Sequence, residues 1–378
     1  MRIGADLRPF LKEETGVGVY FRNLMLQLAA LDRTNEYFLF SSSWKDRFAA
    51  EKVPPFAHVR FRDLRIPVRA VNYLWQTWRW PTLDAVFGVR LDLTHSPTPL
   101  LLPTRGRKVV TVYDLFFLDQ PEKADREARR VFSRRIGRSL ADADGVLTIS
   151  EFTRRALLTR FPLDERKVRA TRLGLGAIFR EEPAEEALAA RRTALALPER
   201  FLLFVGAIEP RKNLPNLLSA LDLLRRRGLE TSLVVVGRDG EDSAAVRKRL
   251  VELGLERAVR FLGYRPEREI RDLYRLASVF VYPSFSEGFG LPVVEAMASG
   301  VPIVASAAGA LPEVGGEAVQ YVRPDDPEDI AGRIAEVLSD GALARRLTAA
   351  GRVRASQYSW EKTAAETLAF YEEVAGRP

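Results

Sequence analysis

Short apolar runs ending in glycine or polar loops alternate with amphipathic stretches along the whole 378-residue chain, and this rhythm limits the fold more than any other feature. Arg2–Leu7 reads as a strand, Val19–Leu31 as a helix and Tyr37–Phe40 as the next strand. Leu91–Thr94, Lys108–Tyr113 and Val146–Ile149 continue the series, with a long helix near Lys123–Ala141 and another from Glu151. Further on, Phe201–Val205, Leu233–Val236, Val259–Leu262, Val279–Val281 and Ile303–Ala305 are strand-like, and helices are expected over 327–338, 343–356 and 360–374. Such alternation predicts α/β class, with parallel sheets covered by helices on both faces. The length suffices for two separate cores, and the charged, alanine-rich stretch Phe179–Pro198 is where a boundary is expected. In sheets of this kind ligands bind beyond the carboxyl ends of strands, so the loops there carry the functional reading.

The most informative of these loops is Tyr282–Pro302, YPSFSEGFGLPVVEAMASGVP. Gly288 and Gly290 free the backbone, and Pro292 sits where a first helical turn tolerates proline. The helix that follows carries Val293, Val294, Ala296 and Met297 and stops at Gly300. Backbone amides around Gly288–Val293 are expected to point outward at the helix N-terminus, forming an anion site. Glu287 lies before the helix and Glu295 about one turn inside it, so they do not form a close carboxylate pair. A sugar joined to a nucleotide by a diphosphate suits this pattern, because carboxylates accept hydrogen bonds from sugar and ribose hydroxyls. An ordinary βα loop with solvent-facing glutamates is the alternative.

Earlier loops offer partners. Phe201–Val205 runs into GAIEPRKNLPNLLSAL, which sets Gly206, Arg211 and Lys212 at a strand's carboxyl end. Two cations there match the charge of a diphosphate and the charge that builds on it as a glycosidic bond breaks, although a solvated Arg–Lys loop is also common. Gly16 and Gly18 precede a helix whose Leu24, Leu28 and Leu31 fall at helical spacing, giving either a second set of outward amides or a plain turn. His95, Tyr113 and Asp114 stand at strand ends and are catalytic candidates, with a structural histidine as the alternative for His95.

Composition narrows the partners. Apolar content of 47% and charged content of 29% describe a globular protein. No apolar run reaches the ~20 residues of a membrane span, and the first strand-like residues lack a signal-peptide core. The absence of cysteine excludes disulfides and thiol chemistry and fits a reducing cytoplasm, and with only two histidines a histidine-rich metal centre is excluded. Asp142 and Asp144 form a DxD, a metal-chelating pattern, but acids between a helix and a strand are usually just exposed. Residues 1–180 hold 32 Lys and Arg against 20 Asp and Glu, whereas the remainder holds 26 against 30, so the basic charge is confined to the first half. That asymmetry points to an anionic partner. No nucleic-acid-binding motif is present, which favours a membrane surface or a phosphorylated acceptor. Arg65–Trp80, RIPVRAVNYLWQTWRW, reads as a helix with Tyr73, Leu74 and Trp78 on one buried face or, alternatively, as an interfacial surface. Around Phe132, Ile136 and Leu140 cluster Arg126, Arg129, Arg130, Arg134, Arg135 and Arg138, either as a solvated helix face or as a basic amphipathic helix.

Glu287 and Glu295 with GFGLP between them, GAIEPRKNL, and the strand VVTVYDL resemble the signatures of retaining glycosyltransferases of family four, the group 1 glycosyl transferases. The resemblance covers nearly the whole chain. It implies the GT-B fold, with two Rossmann-like doubly wound domains facing a central cleft and a last helix crossing back to the first domain. The expected division is 1–185 for the acceptor, 186–357 for the nucleotide sugar and 358–378 for the returning helix. It also implies that Arg211 and Lys212 bind the donor diphosphate, that Glu287 faces the sugar and Glu295 the ribose, and that Gly263 and Tyr264 flank the base. Gly206, Gly288, Phe289, Gly290, Leu291 and Pro292 complete the donor loops, while Gly16 and Gly18 lie near the phosphates and acceptor. Tyr113 stands where the family has histidine, keeping a hydrogen-bond donor but lacking the imidazolium charge. The function so implied is metal-independent, cofactor-free retaining transfer of a hexosyl group, with a lean toward mannosyl, from a GDP- or UDP-sugar to a glycan or polyprenyl- or lipid-linked acceptor. Cell-surface polysaccharide or glycolipid synthesis at the inner face of the membrane is the expected setting. The alternatives are a nucleotide-sugar epimerase or phosphorylase and a non-catalytic scaffold binding sugar nucleotide or lipid.

Overall fold

The computed structural model describes residues 1–11, 16–46, 48–49, 53–124 and 131–376. They divide into two compact units, one formed by 1–119, 125–174 and 359–378 and the other by 120–124 and 175–358.

The first unit is built on strands β1 (Arg2–Asp6), β2 (Glu36–Ser42), β3 (Val59–Leu64), β4 (Leu93–Ser96), β5 (Arg107–Val112), β6 (Gly145–Thr148) and β7 (Val168–Ala170). All pair in parallel, in the order β3-β2-β1-β4-β5-β6-β7. β4 and β6 are buried at every residue, as strands covered on both faces must be, while edge strand β3 is only half-buried. Strand order reverses between β1 and β4, whose register sets Ile3 opposite Leu93 and Ala5 opposite His95.

Helix Trp360–Val374 completes this unit. Ser359 caps its N-terminus by accepting from the Lys362 amide, and Thr363, Ala364, Thr367, Phe370 and Tyr371 give it a buried stripe at helical spacing. The Thr363 hydroxyl donates to the Arg172 carbonyl (2.6 Å), and Glu373 pairs with Arg169 (2.7 Å). The backbone at Gly174 approaches so closely that a Cβ there would lie 2.3 Å from the Trp360 nitrogen. The sequence expectation that the last helix returns to the first domain is therefore met.

Two expectations in this unit change. Helix Val68–Thr77 buries Val71 and Trp75, four residues apart, whereas Tyr73 and Trp78 are 62% and 69% exposed. The face made of Tyr73, Leu74 and Trp78 is therefore not the core face, because Trp75 takes the place against Phe40 (ring centroids 5.2 Å apart). The long helix expected near Lys123–Ala141 is described as helix Ser133–Asp142, with Ile136 and Leu140 buried. Arg126, Arg129 and Arg130 lie outside the described residues.

The second unit carries β8 (Phe201–Val205), β9 (Ser232–Val236), β10 (Val259–Gly263), β11 (Val279–Tyr282), β12 (Ile303–Ser306) and β13 (Val319–Val322), parallel and ordered β10-β9-β8-β11-β12-β13. Its order reverses between β8 and β11, the two strands that lead into the Arg211–Lys212 loop and the Glu287 loop. No helix among the described residues is long and apolar enough to cross a membrane.

Candidate functional site

At the carboxyl ends of β8 and β11, where a parallel sheet of this order opens a crevice, three charged side chains meet. Glu287 is 5% exposed and its two carboxylate oxygens are divided between Lys212 Nζ and Arg211 Nη1, each 2.8 Å away. Lys212 also donates to the hydroxyl of Tyr282, the last residue of β11, and Arg211 to the Ser286 carbonyl (3.2 Å). Burial by itself would push the Glu287 carboxyl up, but the two cations beside it outweigh that and hold it at about 2. Burial and the Arg211 charge push the Lys212 ammonium down, and Glu287 opposes them.

Backbone features hold the two loops in register. The Phe285 amide donates to the Arg211 carbonyl (2.9 Å). Asn213 adopts a left-handed conformation (φ 61°) between the Pro210–Lys212 turn and helix Leu214–Arg226, and its side-chain amide donates to the Pro283 carbonyl (3.0 Å). Gly309 (φ 64°) passes against Glu287, where a Cβ would lie 2.4 Å from its carbonyl oxygen, and the Ala310 amide donates to that oxygen (2.8 Å). Tyr282, Asn213 and Gly309 are contributors that sequence reasoning does not single out. Their only signals are a tyrosine at a strand end, an asparagine after Arg-Lys and a glycine before a proline-led helix.

Helix Leu291–Ser299 begins from Gly290 in the left-handed region (φ 100°) and carries Pro292 in its first turn. The Val293 amide closes back onto the Gly290 carbonyl (2.9 Å) and Pro292 has no N–H, so the expected row of outward amides does not extend to Val293. Phe289 is buried edge-on against Tyr358 (5.6 Å) and packs the loop from beneath, while Leu291 is half-exposed and Gly288 buried. Glu295 lies one turn further along, partly exposed, with Tyr274 Oη 3.3 Å from a carboxylate oxygen. Burial and the Glu267 charge push its carboxyl up to about 8. Gly206 accompanies this group at the end of β8, its amide donating to the Val236 carbonyl (2.8 Å). Gly263 accepts from the Gly237 amide (3.0 Å) at the end of β10, and the following Tyr264 is 62% exposed.

In the first unit, His95 is a core residue. It is fully buried, its Nδ1 lies 2.5 Å from the Tyr371 hydroxyl and its Nε2 2.7 Å from the Thr111 hydroxyl. Burial holds the imidazole neutral by lowering its pKa to about 3. With both nitrogens engaged it joins β4, β5 and the last helix, which replaces the catalytic expectation for it. Tyr113 is half-buried, edge-on to Tyr20 (5.7 Å), and burial raises its phenol well above the ordinary value. Its carbonyl accepts from Thr153 (3.0 Å). Asp114 accepts from the Phe116 amide (3.2 Å) and so caps a short helix. Gly16 is the first residue of helix Gly16–Leu31 and Gly18 its third; residues 12–15 before them lie outside the described residues. The DxD acids are taken up by arginines, Asp142 by Arg79 (2.7 Å) and Asp144 by Arg107 (2.8 Å).

Residues 188–354 match the family of glycosyl transferases group 1, and residues 15–174 match glycosyltransferase family 4. The O-antigen chain mannosyltransferase B of Escherichia coli is 31% identical, covering 98% of this chain and 99% of that protein. The chain is a family-four, group 1 glycosyltransferase. Solved structures share its GT-B fold. The sucrose-phosphate synthase of Thermosynechococcus elongatus superposes with a TM-score of 0.79 at 24% identity over 99% of both chains. Anabaena HepE in complex with UDP and glucose gives 0.74 at 19% identity, over 98% of this glycosyltransferase and 99% of that chain. These comparisons lend no support to the epimerase, phosphorylase or scaffold alternatives.

Proposed function

We propose that this glycosyltransferase moves a hexosyl group, mannosyl in the reading favoured here, from a nucleotide-diphosphate sugar to a glycan or lipid-linked acceptor in cell-surface polysaccharide synthesis, with retention at the anomeric carbon. The observation that carries the reading is the Arg211–Glu287–Lys212 cluster at the strand-order reversal of the second unit. The mannosyl choice draws on the E. coli O-antigen relative. The nucleotide is GDP or UDP; the UDP choice is supported by Anabaena HepE, of the same fold, solved in complex with UDP and glucose.

In the proposed reaction the bond between the anomeric carbon and the leaving phosphate oxygen breaks, with its electron pair passing to the diphosphate. Arg211, Lys212 and the amides before Leu291 stabilise that charge, and this is their main contribution. The acceptor oxygen forms its bond on the same face, and its proton passes to the departing phosphate oxygen. No protein base is needed. Glu287 supports this reading, since a carboxylate held at about 2 between two cations is a weak base but a strong acceptor for sugar hydroxyls and a fixed anchor for the cations. Glu295 takes the ribose and Tyr264 the base. The second unit thus holds the donor, and the first, with Tyr113 and Asp114 at the end of β5 and Gly16 and Gly18 after β1, takes the acceptor. The setting is the cytoplasmic side of an anionic membrane, which the basic first unit meets.

Nucleoside diphosphate release that requires both donor and acceptor, with an α-configured product from an α-configured donor by NMR, is the expected result. Free sugar or an inverted product would remove the reading. Heat-denaturation shifts with UDP, GDP, ADP and their sugars identify the base, since a ligand at 100 times its Kd adds about 2.7 kcal/mol.

A further inference from the structure

A groove of about 730 Å³ opens on the first unit between helix Val68–Thr77 and helix Ser133–Asp142. It draws on the residues that precede β5 and β6, so it is separate from the carboxyl ends of those strands. Five cationic side chains line it against one carboxylate among the described residues. That carboxylate, Asp142, is already bound by Arg79 (2.7 Å) and flanked by Arg138 (3.9 Å). Arg134 and Arg135 are exposed and have no ion pair among the described residues, and Lys108 adds a third cation. A second observation is independent of charge. Trp75, 5% exposed, lines the groove, and its indole N–H is buried with no acceptor among the described residues. The exposed guanidinium groups on this wall are suited to an anionic oxygen.

Trp78, which lines the groove, is 69% exposed, and Tyr73 and Trp80 of the same segment are 62% and 64% exposed. Arg79, between the two tryptophans, holds a left-handed backbone (φ 51°), a conformation rare outside glycine, with its guanidinium on Asp142. Three exposed large aromatics within eight residues are unusual on a globular surface, and aromatic side chains beside arginines are the composition of a membrane interface.

We infer that this groove receives the phosphate headgroup of an anionic phospholipid, with Tyr73, Trp78 and Trp80 entering the interfacial layer of the bilayer. The inference rests on the proposal that the enzyme works at an anionic membrane, and it assigns that contact to one surface. Arg134, Arg135 and Lys108 surround the phosphate while the rings displace water from the acyl boundary.

The test is co-sedimentation of the full chain with phosphatidylcholine vesicles, with and without about 30% phosphatidylglycerol. The wild type is expected to bind only the anionic vesicles and to release them in high salt. Arg134→Glu with Arg135→Glu, and separately Trp78→Ala with Trp80→Ala, should each weaken binding at least tenfold while leaving transfer to a detergent-dispersed acceptor unchanged. Anionic-vesicle binding that survives both double variants overturns the groove and leaves the membrane reading standing. Loss of binding to anionic vesicles by the wild type overturns both, while nucleoside-diphosphate release still judges the transferase reading. Stabilisation by millimolar inorganic phosphate, abolished by Arg134→Glu with Arg135→Glu and unaccompanied by vesicle binding, would show that the groove serves a soluble phosphate and would also overturn the inference.

Discussion

Glu287 serves two cations at once, so its loss and theirs separate by measurement. Glu287→Ala leaves Lys212 buried without its carboxylate, and breaking a buried pair from one side costs about 3–5 kcal/mol. Transfer should fall at least tenfold, and denaturant unfolding should show the stability loss. Arg211→Ala is expected to lower transfer at least tenfold with a smaller stability cost, since Arg211 is more exposed. Wild-type rates in either variant would remove that residue from the site. Glu295 behaves in the opposite sense. Its carboxyl is raised to about 8, so the folded chain resists an ionisation that the unfolded chain undergoes near the ordinary value. Stability is thereby lost as pH rises from about 4.5 toward 8. Glu295→Gln should raise the melting temperature across that window, with no gain below it, as followed by thermal unfolding at several pH values. Tyr113 presents a hydroxyl that is buried and unpartnered among the described residues. Tyr113→His is expected to preserve or raise turnover, and a complete loss with an intact melting transition would give the tyrosine a role of its own.

At the scale of elements, the Arg211–Lys212 and Glu287 loops owe their shape to residues outside the recognisable motif. Gly309 has no room for a Cβ against the Glu287 backbone and sits at a φ that other residues adopt with strain. Gly309→Ala should therefore destabilise by about 1–3 kcal/mol and lower transfer by displacing Glu287, with kcat falling more than the melting temperature alone would explain. The strands were readable because their apolar runs are short, continuous and bounded by turns. β8, β9 and β11 match the expected runs to within a residue. Helix faces were less readable. In helix Val68–Thr77 and its C-cap, Tyr73, Trp75 and Trp78 compete for one core position, and only packing against Phe40 and the guanidinium of Arg8, 4.2 Å above the Trp75 ring, selects Trp75. His95 shows the same limit, because a histidine at a strand end reads alike whether its nitrogens face a ligand or, as here, Tyr371 and Thr111.

At the scale of the molecule, the last helix is part of the first unit's core, although almost two hundred residues of sequence separate it from β7. Trp360, Phe370 and Tyr371 are all buried there. A chain ending at Tyr358 is expected to lose amide-exchange protection in β4 and β5, whereas retained protection would show that the helix is dispensable to that unit. By itself the sequence determined the α/β class, the family and the loops that hold Arg211, Lys212 and Glu287, because strand runs, turn glycines and charged pairs are local and leave local traces. Tertiary structure alone decided that one carboxylate is shared by both cations, that His95 is a core residue and that Trp75, not Tyr73 or Trp78, is buried beside the basic groove. Those outcomes depend on which distant residues arrive at hydrogen-bond distance, and no spacing along the chain encodes that.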